Sequence, residues 1–411
     1  MRISELAVLS WFICACGEDA APKPPLEIGL LLPLSGDLGT FGKAYVDGIN
    51  LAINEINTAG GVLGRPLRSH VIDDGTTPEG STDGYATLTQ RGVPVIIGPA
   101  YSSGVAAVAD QIKATGTLTL GVSTTSPALT TLDDGGAFFR TVPSDAVQGI
   151  VLAAEIVAAR LGAICIVFRD ETYGRPLAEL TAQRIGAAST RVTLAPFDPT
   201  ATNLSQVLAP CDPLVASSSA GILFITFVPD GALLVQDAAR RGWTRAKHKV
   251  FLSDGIRNME LLPMLSSTDL LEGAVGTAPA GPDPASAAGA RFRDFQNRYQ
   301  MRFGGPPPTY TENSYDAIYL AAAAIQAAGT ATDRTAIARA VSRLTQGTTA
   351  PVGDWAAVKK AIEGGGANLD GVTGSLDFDA AGDPLPPYYI TIWTVAGGAL
   401  QTQRVVTVTS L

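Results

Sequence analysis

Residues 26–61 read LEIGLLLPLSGDLGTFGKAYVDGINLAINEINTAGG, and this stretch decides the fold of the chain. Its first residues, 26–32, form an apolar run that is typical of a buried β-strand and ends before a proline. A polar, glycine-rich loop follows, and then apolar residues recur at helical spacing from Ile49 to Ile56 before Gly60 ends the helix. A strand, a loop and a helix in this order predict the opening of an open α/β sheet, in which small ligands bind at the carboxyl ends of the strands.

The chain then continues to alternate between short apolar runs and helical segments. A first series predicts strands at 67–73, 94–97 and 118–122, with helices near 79–90 and 104–114. After a long predicted helix, a second series predicts strands at 164–168, 191–195, 222–227 and 250–252. Short apolar runs without alternation are typical of parallel sheets that are covered on both faces. We therefore expect an α/β protein with two doubly wound parallel-sheet domains and a cleft between their strand ends.

The last third of the chain changes character. It predicts helices at 291–301, 314–328, 334–344 and 355–363, followed by β-like pieces at 375–378, 388–395 and 402–408. A helical block this late, followed by strands, indicates that the chain returns to the first domain and then crosses back to the second.

Composition limits the classes of function. A chain of 411 residues is longer than one compact core usually requires, which also favours two domains. A net charge of −9 without basic clusters argues against nucleic acid and against an anionic membrane surface as partners. The two histidines, His70 and His248, are far apart in sequence, so a metal site built on imidazole is not expected. Dinucleotide, P-loop, nucleophile-elbow and zinc motifs are missing as well, and we expect neither a cofactor nor an enzyme.

The N-terminus has the pattern of a targeting segment. Arg2 precedes an apolar run that is too short to span a bilayer, and we assign residues 1–15 to a signal peptide. The tetrapeptide ICAC, which ends at Cys16, looks like a bacterial lipoprotein processing box in which Cys16 is acylated. Residues 16–25 then form a polar, proline-containing tether. An ordinary cleaved secretory signal is the alternative, and either interpretation places the mature protein outside the cytoplasm, in the periplasm or at the cell surface.

Two cysteines remain in the folded part of the chain. Cys165 lies in the apolar run AICIVF, and Cys211 lies in a loop after a predicted helix. An oxidising compartment permits a disulfide, but a mid-strand residue and a distant loop have no evident reason to meet. We therefore expect two unpaired, partly buried thiols.

Residues 26–61, together with the overlapping stretch NEINTAGGVLGRPLRSHVIDDGTTP at 54–78, resemble the bacterial extracytoplasmic solute-binding proteins of the leucine/isoleucine/valine-binding type. The resemblance extends to GVTGSLDFDAAGD near the C-terminus. It implies the type I periplasmic binding protein fold, in which two lobes are joined by three hinge crossings. These crossings are expected near residues 141–144, 273–278 and 370–374. Lobe I would then hold residues 26–141 and 276–371, and lobe II residues 142–275 and 372–411.

Two hydroxyl-rich loops follow neighbouring predicted strands. The first carries Ser102 and Ser103, and the second carries Ser123, Thr124 and Thr125. Hydroxyls beside the free N–H groups of a helix start can bind a carboxylate, although each loop alone could equally be a helix cap. The resemblance implies that both loops hold the carboxylate and amino group of an amino acid.

An acidic residue and four aromatic residues complete the predicted ligand site. Asp254 follows the strand 250–252 and could be a simple Asp-Gly turn residue. The resemblance implies instead that it faces the ligand ammonium from lobe II. It also implies that Tyr173 closes over the ligand and that Tyr101 and Phe41 line the lobe I side. Phe227 stands where the family often has tyrosine, which predicts a more apolar pocket.

The resemblance implies a substrate-binding component of an ABC importer. Such a monomer captures a branched-chain-like amino acid or a similar small zwitterion, closes by hinge motion and presents the closed form to a membrane permease. One alternative is a sensor of the same fold that signals to a receptor. Another is a binder of a different small molecule, such as an amide or an aromatic acid. The only expected contact with the membrane is the lipid anchor.

Replacing Cys16 with Ser removes the predicted acylation site and is expected to release the protein into the soluble fraction. Several acyl chains hold a protein firmly on a membrane, whereas one chain binds only marginally. Cell fractionation of the Cys16→Ser variant beside the parent checks this expectation. Equal membrane retention of the two proteins would count against acylation at Cys16.

Overall fold

The computed structural model describes residues 23–187 and 190–411. The predicted signal peptide, the acylation site at Cys16 and most of the tether lie outside the described residues. Within the described ranges, no helix combines the length and the apolarity that crossing a bilayer requires.

The first third of the chain builds a parallel sheet with the strand order β2-β1-β3-β4-β5. Numbered in chain order, its strands are β1 (Leu26–Leu32), β2 (Leu67–Asp73), β3 (Val95–Ile97), β4 (Leu118–Gly121) and β5 (Phe138–Arg140). The connecting helices are α1 (Gly39–Thr58), α2 (Pro78–Arg91) and α3 (Ser102–Thr115). Strands β1, β3 and β4 are almost completely buried, as expected for a sheet with helices on both faces.

The second sheet has the order β14-β13-β10-β9-β8-β6-β7. Its parallel part consists of β6 (Ala163–Arg169), β7 (Arg191–Phe197), β8 (Ala220–Ile225), β9 (Lys249–Leu252) and β10 (Val275–Pro279). An antiparallel hairpin of β13 (Tyr388–Ala396) and β14 (Ala399–Val408) extends it beyond β10. The helices of this part are α4 (Asp145–Ala158), α5 (Gly174–Gly186) and α6 (Val228–Arg240).

A helical segment returns the chain to the first sheet. It comprises α7 (Ala290–Phe303), α8 (Thr311–Ala328), α9 (Arg334–Ala340) and α10 (Trp355–Glu363), with a small parallel pair of β11 (Thr348–Pro351) and β12 (Ala367–Asp370). Helix α8 is buried along most of its length and packs against α1, β3 and β4. A Cβ atom on Gly48 of α1 would lie 2.4 Å from the carbonyl oxygen of Thr311. Glycine at this position therefore permits the close approach of α1 and α8.

The predicted α/β class with two doubly wound sheets is confirmed, but one boundary is wrong. Lobe I does not resume at residue 276, because β10 pairs with β9 and β13 in the second sheet. Because β10 belongs to the second sheet, the chain returns towards the first sheet only after Pro279. The sequence of β10, VGTAP, lacks the apolar run that signals a buried strand, which is why the strand was not predicted. Residues 375–378 also form no strand and make only isolated bridges at Ser375 and Phe378. The remaining lobe boundaries stay predictions.

The expectation of two unpaired thiols is wrong. Cys165 and Cys211 form a disulfide, with their Cα atoms 5.7 Å apart, and both residues are completely buried. After β7 the chain folds back, and the short 3-10 helix Ala209–Leu214 packs against β6 and β7. This places Cys211 over the middle of β6, a tertiary contact that residue spacing does not reveal.

Replacing both cysteines by Ala is expected to lower the free energy of unfolding. The disulfide closes a loop with a sequence separation of 46 residues, and loop-closure entropy predicts a loss of about 4 kcal/mol. Urea unfolding of the double variant checks this value, with the reduced parent protein as the matched control. Equal urea midpoints for the oxidised parent and the double variant would show that the bridge does not stabilise the fold.

Candidate functional site

A cavity lies between the carboxyl ends of the strands of the two sheets. Its volume is about 20 Å³, far below the usual range for small-molecule pockets. Its lining comes from the loops after β1, β3, β4, β6, β8 and β9, from α1 and from the segment before α8. The lining residues are Leu38, Phe41, Tyr45, Ala100, Tyr101, Ser102, Ser123, Tyr173, Phe227, Asp254, Gly255 and Tyr310.

Most of the residues proposed from the sequence meet in this cavity. Those that line it are Phe41, Tyr101, Ser102, Ser123, Tyr173, Phe227 and Asp254. The other three hydroxyl residues do not line it. Ser103 donates a hydrogen bond to the carboxylate of Glu171, and Thr125 donates one to Asp145 Oδ2 at 2.8 Å. Thr124 is completely buried behind the loop.

Sequence reasoning missed Leu38, Tyr45, Ala100, Gly255 and Tyr310. Tyr45 lies one helical turn after Phe41 on α1, and this spacing could have indicated it. Tyr310 arrives from the helical return segment, at a sequence distance that gives no local signal. Its φ of 71° is a left-handed conformation that is uncommon for a residue other than glycine.

The first-sheet side of the cavity presents uncharged polar groups. The hydroxyls of Tyr45 and Ser123 lie 2.9 Å apart, and Ser123 donates to the carbonyl oxygen of Ala100. Burial raises the pKa of Tyr45, which keeps its hydroxyl neutral. Ser102 occupies the first position of α3, where the backbone N–H groups of the first turn have no helical partners. Because the Ser123 proton is used on Ala100, the donors left for an anionic group are the Ser102 hydroxyl and the N–H groups of the first turn of α3, none of which carries a charge.

Arg140 stands behind this wall but is committed to other partners. Its guanidinium forms a two-pronged ion pair with Asp383 at 2.6 and 2.7 Å. It also donates to the carbonyl oxygens of Thr124 and Ser126 at 2.9 and 2.8 Å. Arg140 therefore holds the loop that carries Ser123 in place, and it contributes no charge to the cavity surface.

Asp254, on the opposite side, is 3% exposed. Tyr173 and Gln148 each donate a hydrogen bond to its Oδ1 at 2.8 Å, and Tyr310 donates one to its Oδ2. Burial, followed by the charge of Asp254, raises the pKa of both tyrosines, so these donors remain neutral. Among the described residues, no lysine, arginine or histidine forms an ion pair with Asp254. A carboxylate that is buried without a cation is costly unless a bound partner supplies one.

Aromatic rings form the walls between these two sides. Tyr173 and Phe227 stack with their ring centroids 5.5 Å apart, and Phe41 lies 6.2 Å from Tyr310. The Tyr101 hydroxyl bonds to Ser81 at 3.0 Å, away from the cavity, so this residue presents its ring to the cavity. The middle of the cavity thus suits an apolar group.

Arg169, at the end of β6, joins the two sheets at the rim of the cavity. Its guanidinium donates to Asp230 at 2.6 Å on the second-sheet side and to Asp37 at 2.9 Å on the first-sheet side. It also lies 4.2 Å from the centroid of the Phe227 ring. Asp37 follows β1 of the first sheet and Arg169 ends β6 of the second, so their ion pair links the two sides of the cleft.

The sequence model of the periplasmic binding protein family matches residues 25–391, and the chain belongs to this family. Its members are extracytoplasmic substrate-binding proteins rather than enzymes. Over 385 residues the chain is 29% identical to the chemotactic signal transduction system substrate-binding protein BasB of Halobacterium salinarum, covering 91% of this chain and 88% of that one. It is 27% identical to Leu/Ile/Val-binding protein homolog 1 of Brucella abortus, covering 89% of this chain and 90% of the relative.

Solved structures share the fold at lower identity. The leucine-binding protein LivK of Thermotoga maritima superposes with a TM-score of 0.76 at 21% identity, covering 93% of this chain and 98% of that chain. LivJ of Streptococcus pneumoniae in complex with isoleucine gives 0.74 at 19% identity, with coverages of 94% and 100%. A solute-binding protein of R. palustris in complex with benzoate gives 0.74 at 16% identity, with coverages of 94% and 98%. At these identities the structures establish the type I fold and no ligand.

Replacing Asp37 with Ala is expected to shift the protein towards its open form and to weaken ligand binding about fivefold. The ion pair between Asp37 and Arg169 is partly exposed, so its loss is expected to cost about 1 kcal/mol of binding free energy. Calorimetric titration and small-angle scattering of the complex check this expectation. Asp170→Ala is the matched control, because Asp170 pairs with Arg175 within one lobe. If both variants behave like the parent, Asp37 does not contribute to closure.

Proposed function

We propose that this protein is the substrate-binding component of an ABC importer and that it binds an amino acid with an apolar side chain. The observation that carries the proposal is Asp254, a buried carboxylate with neutral donors and no cationic partner at one end of an aromatic-walled cavity. A ligand ammonium would supply the missing charge. Membership of a family with Leu/Ile/Val-binding relatives supports the same ligand class.

The remaining walls fit the rest of an amino acid. The ligand carboxylate would lie against Ser102, Ser123 and the N-terminal turn of α3, where uncharged donors and the helix dipole favour an anion. The ligand side chain would contact the rings of Tyr173, Phe227 and Phe41. Because the cavity is this small, the cleft would have to widen less for a compact aliphatic side chain than for a large one.

An aromatic acid is the second candidate, because a structural neighbour binds benzoate. Such a ligand would bring a carboxylate and no cation. Asp254 would then stay unneutralised, and no basic side chain lines the described cavity. Charge complementarity therefore favours the zwitterion.

A sensing role uses the same binding step with a different partner. The similarity to BasB, whose name refers to a chemotactic signal transduction system, supports this alternative. Transport and sensing would differ in whether the closed form meets a permease or a receptor. A monomer held at the membrane by a lipid on Cys16 is part of the transport proposal.

A thermal-shift screen of amino acids, amides and aromatic acids, followed by calorimetry on Asp254 variants, tests the proposal. Ligand at a hundredfold excess over Kd stabilises the folded form by about 2.7 kcal/mol, so aliphatic amino acids should raise the melting temperature. Asp254→Ala leaves the ligand ammonium buried without its partner, which costs ~2–5 kcal/mol of binding free energy. Affinity should fall roughly thirtyfold or more, and Asp254→Asn should lose much of the same affinity.

The matched control is Asp134→Asn. Asp134 is also buried, but its carboxylate accepts hydrogen bonds from the backbone of its own turn, away from the cavity. This variant should bind like the parent. Hits confined to aromatic acids, or parent-like affinity in Asp254→Ala, would overturn the amino-acid proposal.

A further inference from the structure

Helix α4 begins directly after the first crossing between the lobes, and its first turn lies behind Asp254. Ser144 caps the helix by accepting a hydrogen bond from the backbone N–H of Ala146. Asp145 and Gln148, one turn apart, are both completely buried. Neither residue lines the cavity, yet Gln148 contacts the carboxylate that does.

Each of these two side chains has one oxygen without a hydrogen-bond partner. Asp145 Oδ2 accepts from Thr125 Oγ1 at 2.8 Å, whereas its Oδ1 is buried and unpaired. Gln148 Nε2 donates to Asp254 Oδ1 at 2.8 Å, whereas its Oε1 is buried and unpaired. Turning the amide over would place Oε1 against the carboxylate of Asp254, which is repulsive, so the orientation of Gln148 is determined.

An unpaired buried acceptor costs free energy, and here two of them occur on neighbouring residues of one helix face. Asp145 and Gln148 are three residues apart on α4, so their side chains are neighbours on one helix face. A protonated carboxyl at Asp145 is a hydrogen-bond donor, which is what the Gln148 amide oxygen lacks. We propose that Asp145 is protonated at Oδ1 and donates to Gln148 Oε1. Thr125, Asp145, Gln148 and Asp254 then form one directed hydrogen-bond chain that positions Asp254.

The electrostatic surroundings support the proton. Burial, and then the negative charge of Asp254, raises the pKa of Asp145 well above its usual value, and Glu171 acts in the same direction. The hydrogen bond from Thr125 and the positive charge of Arg140 act in the opposite direction but do not reverse the shift. Arg140 is already neutralised by Asp383, which limits its effect.

The proton determines how much charge the site offers. With Asp145 neutral, the pair of carboxyl groups carries one negative charge, which matches a ligand with a single ammonium and disfavours a dication. This consequence for ligand selection rests on the proposed function. The protonation of Asp145 and its role as a positioning residue for Asp254 do not.

The test compares Asp145→Asn with Asp145→Ala. The Asn amide can donate to Gln148 in place of the carboxylic acid, so this variant should keep affinity for the amino acid found in the screen within about twofold of the parent. Ala leaves Gln148 Oε1 without a donor and Asp254 less well held, and affinity should fall about tenfold. Infrared difference spectra of the ligand-free parent and Asp145→Asn should show the carbonyl band of a protonated carboxylic acid in the parent only.

Stability against pH gives an independent measurement on ligand-free protein. Native Asp145 keeps a proton that the unfolded chain releases near pH 4. As the pH rises above that value, the stability of the parent should therefore fall relative to Asp145→Asn, until the pH reaches the raised native pKa. The proposal would be overturned, even if amino acids bind, by a stability difference between the parent and Asp145→Asn that does not change with pH. The lack of a protonated-acid band in the parent would overturn it as well. If no amino acid binds, these two measurements still decide the proton, and only the claim about ligand charge fails.

Discussion

The closed form of this protein is organised around a carboxylate that is buried without a cation. Asp254 is held by hydrogen bonds from Gln148 of α4, Tyr173 of the loop after β6 and Tyr310 of the segment before α8. Tyr310 belongs to the helical segment that packs on the first sheet, whereas Asp254 follows a strand of the second. The donors of Asp254 therefore come from segments that pack on both sheets.

The sequence predicted the architecture because its strands and helices have strong, regular patterns. The bounds of β2 and α10 agree with the expected ranges, and most other elements differ by a few residues at their ends. The strands that escaped prediction are β5, β10, β11 and β12, which are short or rich in glycine, threonine and proline. Their conformation comes from pairing with neighbours, and a local pattern cannot report this. The same limit hid the disulfide, whose partner arrives through an irregular segment.

For the cavity, the topology of a parallel sheet supplied most of the information. Loops after neighbouring strands meet at one edge, which is why Ser102, Ser123, Tyr173 and Asp254 could be proposed together and lie around one cavity. The family resemblance supplied the choice of Asp254 over an ordinary turn residue. Gln148 could not be found this way, because it is a buried helix residue whose contact with the site is a single hydrogen bond to a distant side chain. The ligand-binding roles of Ser102, Ser123, Tyr173 and Asp254 remain predictions.

The distribution of charge around the cleft is the basis for the proposed ligand class. Among the described residues, Arg140 behind the first-sheet wall and Arg169 at the rim both form ion pairs with carboxylates of the protein itself. Arg140 pairs with Asp383, and Arg169 pairs with Asp230 and Asp37. These two arginines therefore hold the walls of the cavity in place, and neither lines it. For the proposed zwitterion, this arrangement gives the site its polarity: the ligand carboxylate would rely on neutral donors at the α3 end, and the ligand ammonium would meet the buried carboxylate of Asp254.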